Sequence, residues 1–296
     1  MAFASLQAIK DSFAKQNYIA DDKLATALQL VTALEKPLLV EGPAGVGKTA
    51  CAKVLAAVLD TQLIRLQCYE GLDTSTALYE WNYPKQMLHI RLSEQRGKSA
   101  AEREAEIFGE QFLLRRPLLE AISQSDKPPV LLIDEIDRAD EEFEAFLLEL
   151  LGEFQVSIPE LGTIKAKHKP FVILTSNRIR ELSDALRRRC LYLWQGYPSF
   201  DKEVRIIETH LPAINEQLAE QIAQVMLKLR AMHFNKVPGV AESLDWAQAL
   251  VSLHKGMLDM TIIEQTLGTL LKDQEDWALF EAHRGEIELA LYEANR

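Results

Sequence analysis

The sequence predicts an α/β fold, with a parallel sheet covered by helices on both faces and an all-helical domain behind it. Three observations predict this. Up to Pro198, short apolar runs that read as strands alternate with stretches of helical spacing. Those runs are apolar at successive positions, as in strands buried on both faces between helix layers. From Asp201 to Arg296 the helical spacing continues and no convincing strand interrupts it. The predicted division is therefore an α/β domain over residues 1–198 and a helical domain over residues 199–296. A chain of 296 residues suits about two domains at roughly 150 residues each.

The elements follow in order. Residues 1–36 carry helical spacing. Asp21 or Asp22 can cap a helix with Leu24, Ala27, Leu28, Val31 and Leu34 as its apolar positions, and Pro37 stops it. PLLVEG (37–42) is a buried strand ending in glycine. A helix runs from about Lys48 to Leu59, and QLIRLQC (62–68) is a second strand. PPVLLIDE (128–135) is a third, almost wholly apolar. Asp140 caps a strongly helical stretch with Glu141 and Glu142 in its first turn and Phe143, Phe146, Leu147, Leu150 and Leu151 on one face. Gly152 is expected to end that helix. PFVILTSN (170–177) is a fourth strand and CLYLW (190–194) a fifth. Two stretches interrupt the alternation and read as β-hairpins. One is YEWNYPKQMLHIRL (79–92), with a turn at Pro84 and Lys85. The other is QVSIPELGTIKAKHKP (155–170), with a turn from Pro159 to Gly162. Such insertions are often functional.

Composition narrows the function classes. Hydrophobic residues make up 48% of the chain, enough for a packed core, which excludes disorder as the main state. With 33 Lys and Arg against 44 Asp and Glu, the net charge is −11. General nucleic-acid binding is not expected, because phosphate affinity comes mainly from Lys and Arg. Three widely spaced cysteines, Cys51, Cys68 and Cys190, form neither a disulfide framework nor a zinc spacing. The six histidines show no metal spacing either. No apolar run reaches the roughly 18 residues that span a bilayer. In MAFASLQAIKDSF, charge arrives at Lys10 and Asp11 before a signal-like apolar core develops. A cytoplasmic location is the expectation.

The strongest chemical signal is GPAGVGKT: Gly42, Pro43, Ala44, Gly45, Val46, Gly47, Lys48 and Thr49, with Ala50 continuing into the helix. It matches the G-x-x-x-x-G-K-[ST] phosphate loop at every fixed position. Glycines let the backbone wrap phosphate oxygens, and N–H groups at the helix start point at the anion. Lys48 adds charge near the β and γ phosphates, and Thr49 offers a hydroxyl to Mg2+. VLLIDEID (130–137) puts Asp134 and Glu135 at the end of a strand. Asp134 would hold the metal through water, and Glu135 would activate the attacking water as a general base. Such a pair favours hydrolysis over transfer to a second substrate. Asn177, ending ILTSN, could orient the water, or could end its strand for turn reasons. In DALRRRCLYLW (184–194), three arginines precede a strand. They could supply a finger to a neighbour's phosphates, or form a solvated helix end whose cations suit the dipole.

Together these motifs resemble the AAA+ ATPases: Walker A is GPAGVGKT, Walker B is LLIDE, sensor 1 is Asn177, and the finger motif is RRC. The helical domain resembles that family's lid. Within it, LLIDEIDRADEEFEAFLLELLGEFQVSIPELGTI and ALRRRC are similar to the MoxR branch, whose two inserted hairpins match 79–92 and 155–169. CYEGLDTSTALYEWNYPKQMLHIRL resembles the CoxD-type members associated with maturation of molybdenum-containing carbon monoxide dehydrogenase. The resemblance implies a homo-oligomeric ring, usually a hexamer, binding ATP and Mg2+ between subunits. Arg189 would be the finger, with Arg188 as the near alternative, and Tyr18 and Ile19 would flank the adenine. It further implies a chaperone that remodels or activates a client metalloenzyme, carbon monoxide dehydrogenase among them, alongside a co-chaperone with a von Willebrand factor A domain. One departure stands out. MoxR relatives often carry a sensor 2 arginine in a G-A-S-x-R string in the lid, whereas the corresponding GVAESLDWA (239–247) has Leu244 and Asp245 there. Trp81 and Tyr83 could be hairpin packing or client contacts. Two other classes remain open: a binding switch whose turnover is incidental, and a DNA-directed motor, which the acidic balance disfavours.

Overall fold

A computed structural model describes residues 3–93 and 106–294. Its strands are β1 (Leu38–Glu41), β2 (Leu63–Gln67), β3 (Tyr79–Trp81), β4 (Leu113–Arg115), β5 (Val130–Asp134), β6 (Gln155–Ile158), β7 (Gly162–Lys165), β8 (Phe171–Ser176) and β9 (Leu191–Trp194). The chain divides into two compact units. The first holds Met1–Ala8, Asp22–Glu41 and Ala52–Leu193. The second holds Ile9–Asp21, Gly42–Cys51 and Trp194–Arg296.

The first unit is built on a five-stranded sheet of order β2-β5-β8-β1-β9. The pairings β2 with β5, β5 with β8, and β8 with β1 are all parallel. All five residues of β5 are buried, as a central strand between helix layers requires. Register places Gln67 opposite Asp134 and Glu41 opposite Ser176, so these polar residues end their strands along one sheet edge. In open parallel sheets that carboxyl edge is where ligands bind. The Glu141–Glu153 helix packs Phe143, Leu147, Leu150 and Leu151 into the same core.

Two local expectations are corrected. The segment 79–92 is not a hairpin. β3 pairs antiparallel with the distant β4, and a helix, Tyr83–Ser93, takes up the rest. Pro84 lies in that helix's first turn, where a missing N–H costs nothing. The Asn82 side chain accepts from the Lys85 N–H at 3.1 Å, which stabilises a helix start rather than a turn. Nor does Gly152 end the Glu141–Glu153 helix. The chain reverses at Phe154, in the left-handed region with φ 50°, held by Phe154 N–H donating to Leu150 O. Burial of the Phe154 side chain outweighs the usual preference for glycine there. The second hairpin forms as expected, with β6 and β7 antiparallel and Ile158 opposite Gly162.

Beyond Ser199 the described residues of the second unit are helical: Phe200–His210, Glu216–Ala231, Val240–Ser252, Met260–Thr266, Gln274–Ala282 and Arg284–Ala294, with a short 3-10 turn after Thr266. Ser199, Asn215, Asp259 and Asp273 cap the starts of four of them. Their core gathers Leu229, Trp246, Ile263 and Phe280. Among the described residues, no helix is long and apolar enough to cross a membrane.

Candidate nucleotide site

The phosphate loop lies in the second unit. It leaves the end of β1 and leads into the Lys48–Val58 helix. Gly45 and Gly47 take positive φ, 74° and 90°, which glycine adopts at little cost. At Gly42 the constraint is space: a Cβ would lie 1.9 Å from Gln195 O. The Lys48 ammonium donates to Gly42 O at 2.7 Å and to Pro43 O at 2.6 Å, and it is only 7% exposed. Val46 is buried, whereas Ala44 is exposed.

Around the loop the second unit supplies three supports. The Tyr18 hydroxyl donates to Gly47 O at 3.4 Å. Burial first, and then the Cys51 thiol, push the Tyr18 pKa far up, so this hydroxyl stays protonated. Gln195 Nε2 donates to Val46 O at 2.7 Å and to the Tyr18 hydroxyl at 3.2 Å. Val240 N–H donates to Gly45 O at 2.9 Å, where the Val240–Ser252 helix begins. Ile19 follows Tyr18 and is half-buried, and Thr49 and Ala50 open the loop's helix. The GVAESLDWA stretch offers no arginine. Arg230, a buried arginine of this unit, is committed elsewhere. Its guanidinium donates to both Glu203 carboxylate oxygens, to Ser243 Oγ and to Pro238 O.

The acidic centre lies in the first unit. Asp134 is buried. Its Oδ1 accepts from Thr175 Oγ1 at 2.6 Å, and its Oδ2 accepts from Arg65 Nη2 at 2.6 Å and Nε at 3.0 Å. Glu135 sits in the left-handed region, φ 56°, and its N–H donates to Thr175 Oγ1 at 2.9 Å. Its Oε2 accepts from Gln67 Nε2 at 3.1 Å and pairs with Arg138 Nε at 3.1 Å. Thr175 on β8 thus fixes both acidic residues from the neighbouring strand. Asn177 follows β8, and its N–H donates to Asp137 Oδ2 at 3.0 Å, as does Ile179 N–H at 2.9 Å. Asp137 is buried and shapes that turn.

Arg188 and Arg189 end the short Asp184–Arg189 helix and are exposed; the Arg189 guanidinium donates to Leu148 O. Arg187 instead lies over the Tyr192 ring, 5.9 Å from its centroid.

The Thr49 hydroxyl in the second unit and the Asp134 carboxylate in the first are each the kind of hard oxygen donor that Mg2+ favours, and the loop's backbone and ammonium suit a polyphosphate. The residues present therefore fit ATP and Mg2+. Among the described residues no cluster of three His, Cys, Asp or Glu could hold a metal by itself.

Sequence reasoning missed Arg65, Gln67, Thr175 and Gln195. Arg65 and Gln67 had a signal. LIRLQ alternates, which puts both polar side chains on one face of the strand beside Asp134. Gln195 had none, because its contacts are 149 and 177 residues distant in sequence.

The fold and loop define a nucleotide-binding α/β protein with a helical unit. Residues 38–193, over half the chain, match the ATPase family associated with various cellular activities (AAA), and the chain belongs to that family. It is 25% identical over 264 residues to "Uncharacterized protein SAB1265c" of Staphylococcus aureus, covering 84% of this chain and 90% of that one. It is equally identical over 284 residues to "Uncharacterized protein SH1500" of Staphylococcus haemolyticus, covering 93% and 98%. Among solved structures it resembles two RuvB mutants of Thermotoga maritima. One has a TM-score of 0.51 and 18% identity over 96% of this chain and 82% of the other. The second has 0.50 and 19% over 95% and 80%. That likeness is one of fold.

Proposed function

We propose that this chain is a magnesium-dependent ATPase of the MoxR type, a cytoplasmic chaperone that works as a homo-oligomeric ring, in the usual case a hexamer. Family membership supports nucleotide hydrolysis in general. The observation that carries the finer enzymatic reading is the fixed pair Asp134 and Glu135, held by Thr175 from the next strand. A binding switch has no need of a positioned base.

In this reading, the loop amides and Lys48 bind the phosphates, and Lys48 leaves the Gly42 and Pro43 carbonyls to do so. Thr49 and Asp134 would hold Mg2+, which neutralises phosphate charge when bound. Glu135 takes a proton from the attacking water, and Asn177 orients that water. Arg189, or Arg188 beside it, would reach a neighbouring subunit's phosphates from an exposed helix end. The client is a metalloenzyme such as molybdenum-containing carbon monoxide dehydrogenase, with a von Willebrand factor A domain protein as co-chaperone; this rests on the likeness of residues 68–92 and of the MoxR-like segments. The net charge of −11 weighs against a DNA-directed motor.

The test is Glu135→Gln. ATP binding should persist while turnover falls by about 10²–10⁴-fold, the usual worth of a general base. Turnover equal to wild type would remove Glu135 from this role.

A further inference from the structure

Gln195 carries an unused acceptor beside the phosphate loop. Its Nε2 donates to Val46 O at 2.7 Å and to the Tyr18 hydroxyl at 3.2 Å. A peptide carbonyl only accepts, so Val46 O fixes which end of the amide is nitrogen, and Oε1 must be the other end. Oε1 is buried and has no hydrogen-bond donor among the described residues. Orphaned buried polar atoms are rare in folded proteins and call for a partner. The seat is rigid as well. Gln195 O packs against Gly42 so closely that no Cβ fits there, and Tyr18, itself bonded to Gly47 O, pins the amide from a second side.

A purine offers the matching chemistry at its six position. Adenine carries an amino group there, which donates; guanine carries a carbonyl, which only accepts. We propose that Gln195 is a specificity-determining residue of the nucleotide site, its Oε1 accepting the adenine amino group and rejecting the guanine carbonyl. The inference rests on the ATPase reading. An acceptor facing an acceptor leaves both unpaired, so the discrimination comes from the wrong base as much as from the right one.

The experiment is equilibrium binding, by displacement of a fluorescent ATP analogue, of ATP, GTP and purine riboside triphosphate, which has no group at the six position. Wild-type protein should bind ATP about tenfold or more tightly than purine riboside triphosphate, and GTP should bind no better than the latter. In Gln195→Leu the ratio of ATP to purine riboside triphosphate should fall to near one. Gln195 also holds Val46 and Tyr18, so its loss can weaken all three nucleotides. A purely structural role would do that alike and leave the ratio unchanged. Gln195→Glu keeps an acceptor and loses the donor, so it should weaken binding yet preserve the preference for ATP. A wild-type ratio of one, or a ratio untouched in Gln195→Leu, overturns the role of Gln195 while leaving the ATPase reading intact. Binding of no purine triphosphate by the wild type overturns both.

Discussion

Thr175 shows how much one buried side chain can organise. Its single hydroxyl donates to Asp134 Oδ1 and accepts from Glu135 N–H, and it is 1% exposed. Thr175→Val keeps the shape and removes both bonds, one to the buried Asp134 carboxylate and one from the Glu135 N–H. It should destabilise the protein by about 1–3 kcal/mol, read by denaturant unfolding, and impair turnover more than ATP binding. The thiols give a pH dependence. Burial pushes Cys51, Cys68 and Cys190 up from 9.0 to about 12; carboxylates add to this, Asp21 at Cys51, and Asp134, Asp137 and Glu135 at Cys68. A raised thiol pKa means the native state keeps protons that the unfolded chain releases. The stabilisation is complete below pH 9 and is lost as pH rises toward 12. Stability should therefore fall progressively above pH 9 in urea titrations, and a stability flat to pH 11 would contradict the burial. Alkylation at pH 8 should label the buried Cys51 and Cys68 only after unfolding.

At the scale of elements, caps and close approaches set the boundaries. Asp140 Oδ1 accepts from Phe143 N–H at 2.8 Å and caps the Glu141–Glu153 helix. Asp140→Ala should cost about 1 kcal/mol in thermal or chemical unfolding, with nucleotide affinity unchanged. Gly42→Ala acts differently. Its Cβ would meet the backbone carbonyl oxygen of Gln195 at 1.9 Å, so the loop must shift. Loss of ATP binding is expected even where the protein stays folded, as measured by fluorescent nucleotide titration. The misread hairpin at 79–92 belongs to this scale too. The local sequence held β-prone residues and a proline. What distinguishes a helix from a hairpin there is the cap at Asn82 and a strand partner at Leu113–Arg115, over 30 residues further along.

At the scale of the whole molecule, the exposed arginines make the prediction. If Arg189 acts on a neighbouring subunit, turnover per chain should rise with protein concentration and then saturate. A flat rate across dilutions that separate subunits would exclude that arrangement. Arg189→Ala should still assemble but fail to hydrolyse. Mixing it with Lys48→Ala subunits should restore part of the activity, because each defect is then supplied by the other chain. No restoration in the mixture would count against action between subunits.

Much of this protein follows from its sequence alone. The phosphate loop was legible because its spacing is dictated by contact with phosphate, and the strands β1, β5 and β8 because burial on both faces leaves mainly apolar residues. Asp134 and Glu135 were legible because they abruptly end such a strand. Tertiary structure decided the rest. The helix after Asn82, the reversal at Phe154, and the partners Arg65, Gln67, Thr175 and Gln195 depend on residues brought together from distant positions. A local pattern records what a segment buries, but not which distant side chain completes its hydrogen bonds, and the latter appears only once the strands have been set in register.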